Sequence, residues 1–567
     1  MKLNKIIALT TLILLLSVVS CSDEFLEIAP TGSLGSAELS SQAGLEGSLV
    51  AAYSMLLGRD GGFFSDSSNW MWGSCRGGDA NKGTNAGDQS QINEVQAHAT
   101  QTTNASVSSK YRSVYEGVAR SNATLKLLLD AQDGVSADTR TRIEAEARFL
   151  RAHYYFELKK NFNNTPYVDE TWDEITPVSN TADLWTFIEA DFKFAYDNLP
   201  GMMSDAGRAN KWAAGAYYGK ALLFQGKWSE ARTVLSDVVN NGMTANGQPY
   251  DLNANYADAF RSPNDNSAES VFAVQAAAGT GDVINANAGM VLNFPNGPGA
   301  PGGCCGFFQP SFELANTFRT SADGLPLLDG SYNDDANALV TDMGIESAEP
   351  FDVDADPVDT RLDHSIGRRG IPYLDWGPHP GKDWIRDQPY AGPYAPKKFI
   401  YYQAGNGTEN DLSSWTPGYT AVNYNIIRFA DVLLMLAEAE VEAGSLDEAA
   451  ALVDRVRTRA ANSTIADSPA NYSVGTYGSF GSQAMGRMAV RMERKLELSG
   501  EGHRMYDLVR WGVASDVLNA YLAYEGPKLN APFAGATFDA NKDEYLPIPQ
   551  TEIDLLGSDV IIQNPGY

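Results

Sequence analysis

Cysteine and histidine are scarce in this 567-residue chain, at four and five. The cysteines are Cys21, Cys75, Cys304 and Cys305; no pair has CxxC spacing and no histidine pair stands nearby, which argues against a structural zinc site. Basic residues are also few: 42 Lys and Arg face 71 Asp and Glu, a net charge of −29. Nucleic acid needs clustered cations on phosphates, so it is excluded as a partner, and an acidic lipid surface is equally unsuited. Long apolar runs are lacking too. Ile6–Val19, interrupted by Thr10, Thr11 and Ser17, is too short to span a bilayer comfortably. HExxH, GxSxG, Walker and GxGxxG motifs are absent from any strand-turn-helix setting. The many carboxylates leave a glycosidase pair open, but nothing singles one out.

The N-terminus has a defined chemistry. Lys2 and Lys5 precede the apolar run, and Val18-Val19-Ser20 leads into Cys21. The pattern is a signal peptide over residues 1–20, with Cys21 as the lipidated first residue of the mature chain. Acyl chains would hold the protein on a membrane without a transmembrane helix, each buried methylene adding ~0.8 kcal/mol.

What the chain has in quantity is apolar and aromatic surface: 43% hydrophobic residues, with 26 Tyr, 23 Phe and 10 Trp. That suits a folded protein with a substantial core and offers flat faces to a neutral ligand. Helical periodicity marks Gln42–Leu57, Ser108–Leu129, Thr139–Lys160 and Thr181–Asn198. Trp212–Gln225 and Trp228–Val239 form a hairpin about Gly226-Lys227, and Asn425–Ala443 with Leu446–Ala460 form another about Gly444-Ser445. Such Ala-rich pairs look like tetratricopeptide units, which must stack because one pair cannot bury its own apolar side. The expected fold is mainly α: a tetratricopeptide-like helical superhelix over about 40–240 and 424–515, with few short strands. A loop-rich insert fills about 241–423, where Gly, Pro, Asn and Asp replace the helical period. So long an aromatic-rich irregular segment points to function. A tail, 516–567, packs on the scaffold.

Several ordered motifs carry a family resemblance. Val490–Gly512, VRMERKLELSGEGHRMYDLVRWG, has a charged helix, a glycine break and an aromatic-basic run. Arg428–Ala439 reads R-x-A-D-x-x-L-x-x-A-E-A, and Val453–Ala460 reads V-x-x-V-R-x-R-A. Glu144–Glu170, the start CSDEFL, the LPIPQ of Leu546–Gln550 and the terminal NPGY complete the set. Together they resemble the SusD/RagB family. The resemblance implies a non-catalytic, cell-surface, glycan-binding lipoprotein without cofactors. It further implies a SusC-like TonB-dependent outer-membrane transporter as partner, and an acidic export tag at Ser22-Asp23-Glu24. RagB-type members suggest peptide or glycopeptide capture as the alternative. Glu501, His503, Arg504, Asp507 and Arg510 are expected to hold the C-terminal, strand-like tail on the helices and to leave ligand untouched.

A neutral sugar needs an aromatic plane and polar groups aimed at its hydroxyls. Trp70, Trp72, Asp79 and Asn81, with Arg76, sit in one Gly-rich loop, of a kind that commonly lies by the family's glycan site. Cys304 and Cys305, in GGCCGFF, pair with each other, stay reduced, or engage Cys75; a ring between them would offer a sugar a flat face. Arg368 and Tyr394 bound a third loop with Tyr373, Trp376, Trp384 and Tyr390; its GRRGIPYLDWGPHPGKDWIRDQ run resembles a subgroup associated with fructan uptake. Asp352, Asp354, Asp356 and Asp363 imitate a calcium loop, but Pro357 takes the glycine position and the twelfth place lacks its glutamate, so no metal is expected.

Overall fold

The structure is a computed structural model that describes residues 36–567 apart from 60–61, 132–133, 174 and 530–531. The leader and the lipidation residue Cys21 lie outside the described residues. Helix accounts for 45% of the chain and the strands are few and short, so the fold is mainly α.

The scaffold helices are α1 (Gln42–Ser54), α2 (Ala105–Asp130), α3 (Ala137–Phe162), α4 (Leu184–Asn198), α5 (Lys211–Phe224) and α6 (Trp228–Asn241). After the insert come α7 (Phe429–Ala443), α8 (Leu446–Ala461), α9 (Gln483–Glu497), α10 (Arg504–Arg510) and α11 (Ala514–Glu525). From α2 to α8 each helix packs on the next, which is the stacking a superhelix requires. Capping sets the starts. Asn104 accepts from the amides of Ser106 and Val107, so α2 opens three residues before its apolar period becomes legible. Ser136, Asp183, Asn210 and Ser445 cap α3, α4, α5 and α8 in the same way.

The core runs along the buried faces of these helices. Phe149, Phe192, Tyr217 and Phe272 interlock there, with the Phe192 and Tyr217 rings stacked at 4.9 Å. Each such ring contributes ~1.5–3 kcal/mol by leaving water.

Two expectations are corrected. Asn425–Arg428 is not helical: Tyr424–Arg428 is a strand, antiparallel to Ser270–Val274 in the insert, and the helix starts at Phe429. The C-terminal tail is not strand-like either, since α11 and the short helix Gln550–Leu556 occupy it.

The insert has its own apolar interior. Phe294, Tyr373, Trp384, Ile400 and Tyr401 are all buried together, which is where much of its aromatic content goes. Ala80–Gly83 pairs antiparallel with Phe307–Pro310, tying the early loop to the middle of the insert.

Candidate functional site

Trp70 and Trp72 lie on one tight turn, Trp70–Cys75, and each is 1% exposed. Their indole N–H groups donate to the carbonyls of Phe63 (2.9 Å) and Phe64 (2.7 Å). Trp70 meets Phe307 and Phe308 at 6.4 and 5.7 Å. Both indoles therefore plug the core, and neither leaves a face for a sugar. Asp79 is also buried; it accepts from Ser74 and from the Gly500 amide, and burial pushes its carboxyl up to about 6. Asn81 donates to Ala391 and accepts from Gly83. Arg368 binds Asp363 at 2.6 and 2.9 Å, and Tyr394 packs against Phe312. As ligand contacts these six residues are corrected to structural ones, because their polar atoms or faces are turned inward.

The early loop still shapes the site, from beneath. Gly73 approaches Gly502 so closely that a Cβ on Gly73 would stand 1.9 Å from the Gly502 oxygen. Gly502 itself has φ 73°, a left-handed conformation that glycine adopts readily. Through Trp70 the same loop supports Phe307 and Phe308, which follow the cysteine pair after Gly306.

Cys304 and Cys305 are joined by a disulfide across a cis peptide bond. Cys305 faces inward, Cys304 is half-buried and Gly303 is exposed. The ring is held from both sides. The Gly302 amide donates to the Tyr401 hydroxyl at 3.1 Å, and the Gly302 carbonyl accepts from Thr416 at 2.8 Å. Phe294 fills the space under Gly302, where a Cβ would meet its ring at 2.6 Å.

Beside this ring stand groups that could engage a sugar. Trp415, next to Thr416, is 57% exposed, with its indole N–H directed at the Tyr419 hydroxyl, 3.3 Å away. Trp376 is half-buried, its N–H donating to the Tyr401 carbonyl at 3.1 Å and its ring edge-on to Tyr401. On the other flank, Arg386 donates to Thr84 (2.8 Å) and Asp88 (2.6 Å), an exposed ion pair. Gly306 brings Arg386 and Asn296 within 3.4 and 3.3 Å of the position its own Cβ would take. Of the residues named from sequence, Cys304, Cys305 and Trp376 belong to this face; Trp415, Asp88, Thr84 and Asn296 were not expected there, and Arg386 lies in the third loop without having been singled out. SSWTPG carries one readable sign in retrospect, a tryptophan among turn residues with no apolar neighbour to pack with.

The motif residues Glu501 and Arg510 are engaged inside the protein, but with the insert and the helices and not with the C-terminal tail as expected. Glu501 pairs with Lys398 and Arg428, and Arg510 with Glu438 and Asp507, all buried. The acidic run does not converge on a cation: Asp354 holds Arg319 and Asp363 holds Arg368. Among the described residues no group of His, Cys, Asp or Glu could hold a metal. None of the described helices is long and apolar enough to cross a membrane.

Comparison with known proteins fits this architecture. Residues 268–567 match the family model described as the SusD family. Residues 25–223 match one described as starch-binding associating with outer membrane. A SusD-like protein of Formosa agariphila is 26% identical over 99% of both chains. A solved structure called a laminarin binding SusD-like protein is 26% identical, with TM-score 0.63 over 93% of this chain and 100% of that one. Surface glycan-binding protein A from Bacteroides thetaiotaomicron, in complex with laminarihexaose, shares the fold at TM-score 0.66 and 22% identity, over 92% and 99%. With more than half of its length matched and the helical scaffold in common, the chain belongs to the SusD family.

Proposed function

We propose that this protein is a non-catalytic glycan-binding lipoprotein of the outer membrane, anchored through Cys21 and facing the cell exterior. It captures neutral oligosaccharides and passes them to a SusC-like TonB-dependent transporter. The observation that carries the reading is the face around Cys304–Cys305, where an exposed indole, a rigid apolar ring and the Arg386–Asp88 pair lie together. Sugar rings have C–H faces for Trp415 and the disulfide, and hydroxyls for guanidinium, carboxylate and amide. The names of two structural neighbours, with laminarin and laminarihexaose, support a glycan ligand. Net negative charge disfavours anionic polysaccharides. Three buried carboxylates, Glu493, Glu269 and Glu313, are neutralised by Arg361, Arg428 and Lys495.

Affinity electrophoresis against laminarin, fructans and starch tests the reading. Retardation by at least one neutral glucan or fructan, with no new reducing ends after prolonged incubation, is the expected result. Migration unaffected by the whole panel, or release of reducing ends, would reject it.

A further inference from the structure

A second cavity, of about 180 Å³, is built from other parts of the chain. It lies among the C-terminal end of α3, the first turn of α4, the last turn of α5, α10 and the tail. None of its lining residues belongs to the disulfide face. Trp185 and Phe224 supply half-buried aromatic surface, their rings 6.1 Å apart. Lys159, Asn163, Glu544 and Tyr545 supply polar groups.

Those polar groups are under-used within the protein. The Lys159 ammonium lies 5.9 Å from the Trp185 ring centre and has one carboxylate near it, Asp183 at 3.8 Å, which is largely exposed. Among the described residues no cation lies within ion-pair distance of Glu544, and the side-chain amide of Asn163 has no hydrogen-bond partner. The other cations at the wall are already matched: Lys160 by Glu157, and Arg510 by Glu438 and Asp507. Burial lowers the pKa of Lys159 against the pull of Asp183, and raises that of Glu544 against that of Arg76. The open positions thus comprise one cationic donor, one anionic acceptor and one amide, close to charge balance. A charged ligand would leave one of the two ions opposed. An uncharged ring with hydroxyls on its edge and C–H on its face would satisfy donor, acceptor and aromatic plane together.

We propose that this cavity is a second carbohydrate site that holds one uncharged sugar ring, on the scaffold and apart from the disulfide face. Two sites on one chain would let a polymer caught at one point be held at another, raising its effective concentration without new contacts at either.

The test uses the mature chain carrying Trp415→Ala, with glucose and glucuronate as probes in ligand-observed NMR. Glucose should bind, Trp185→Ala should weaken it at least about tenfold, and glucuronate should bind more weakly. Trp185 also packs on Phe156, so Lys159→Met serves as a second variant; it should weaken glucose while keeping the unfolding midpoint. Absence of glucose binding, binding that survives both substitutions, or a preference for glucuronate would each overturn the proposal. Laminarihexaose binding to Trp415→Ala and native protein reports separately on the disulfide face, so failure there is distinguishable from failure here.

Discussion

Arg428 and Glu497 meet twice: the guanidinium donates to the Glu497 carboxylate at 2.6 Å and to its backbone carbonyl at 2.7 Å. Arg428 also reaches Glu269 and Glu501, while Glu497 receives Arg361 and Arg459. One buried cluster therefore ties together the insert, the strand leading into α7, α8 and the end of α9. Burial alone would raise the Glu497 pKa, but Arg459, Arg428 and Arg361 outweigh it and hold the group well below the usual carboxylate range.

Removing one member strands the rest. Arg428→Met should cost ~3–5 kcal/mol of stability, because Glu269, Glu497 and Glu501 would keep buried charge without their main partner. Urea unfolding measures this; a loss below ~1 kcal/mol would show that water or other arginines replace it.

Glu525 gives a pH signature. It is buried, accepts from the Glu313 amide, and burial pushes its carboxyl up to about 8. Its unfolded value is ~4.3, so between those values the folded state keeps a proton that the unfolded state releases, and stability falls as pH rises. Unfolded histidines are half-protonated at pH ~6.5 and the buried lysines Lys397 and Lys398 titrate near 8, so both act in the same window and the share of Glu525 is read as a difference between two proteins. Over pH 6.5–8 the native protein should therefore lose stability relative to Glu525→Gln. Parallel profiles for the two proteins in thermal melts would contradict the assignment.

The tryptophans should separate by role. Trp415→Ala should weaken laminarihexaose or fructan-oligomer binding by ~1–3 kcal/mol with the fold intact. Trp70→Ala should instead cost ~3–5 kcal/mol of stability, as a large buried ring is replaced by a void. Calorimetry and chemical unfolding read the two effects. Equal binding losses from both substitutions would place Trp70 nearer the ligand than its 1% exposure allows.

The thiols provide a chemical check. A chain starting after Cys21 should show one alkylatable thiol when unfolded without reductant, Cys75, and none when folded, since Cys75 is buried. Reduction should release two more and weaken glycan binding. It should barely move the unfolding midpoint, because a ring between adjacent residues closes almost no loop in the unfolded chain. A large drop in midpoint would assign the bond a stabilising role.

The scaffold was legible because helices carry their evidence locally. Period and turn placed α1 to α6 within a few residues, and the caps Asn104 and Ser136 explain the shifts at α2 and α3. Asn425–Arg428 misled because its β partner, Ser270–Val274, lies some 150 residues away and leaves no local trace. The same limit governs the site. Trp70 and Trp415 are both tryptophans in Gly- or Ser-rich loops, and what separates them is a distant contact: Phe307 and Phe308 cover the first, and the second keeps most of its surface. The Cys304–Cys305 pair was readable as a possible ring because adjacency alone made it so. Arg386 and Asp88 were not singled out, since they meet across 298 positions of sequence.

The close contact of Gly73 with Gly502 has a temporal side. The Asn564 amide donates to the Phe162 carbonyl, 402 positions earlier, and the Arg76 guanidinium donates to the Asp543 carbonyl. Early helices thus receive their final neighbours from residues synthesised some hundreds of positions later. The early helices cannot reach their finished state before that segment has been made, so removal of Asn564–Tyr567 should leave an early segment of the protein exposed to proteases.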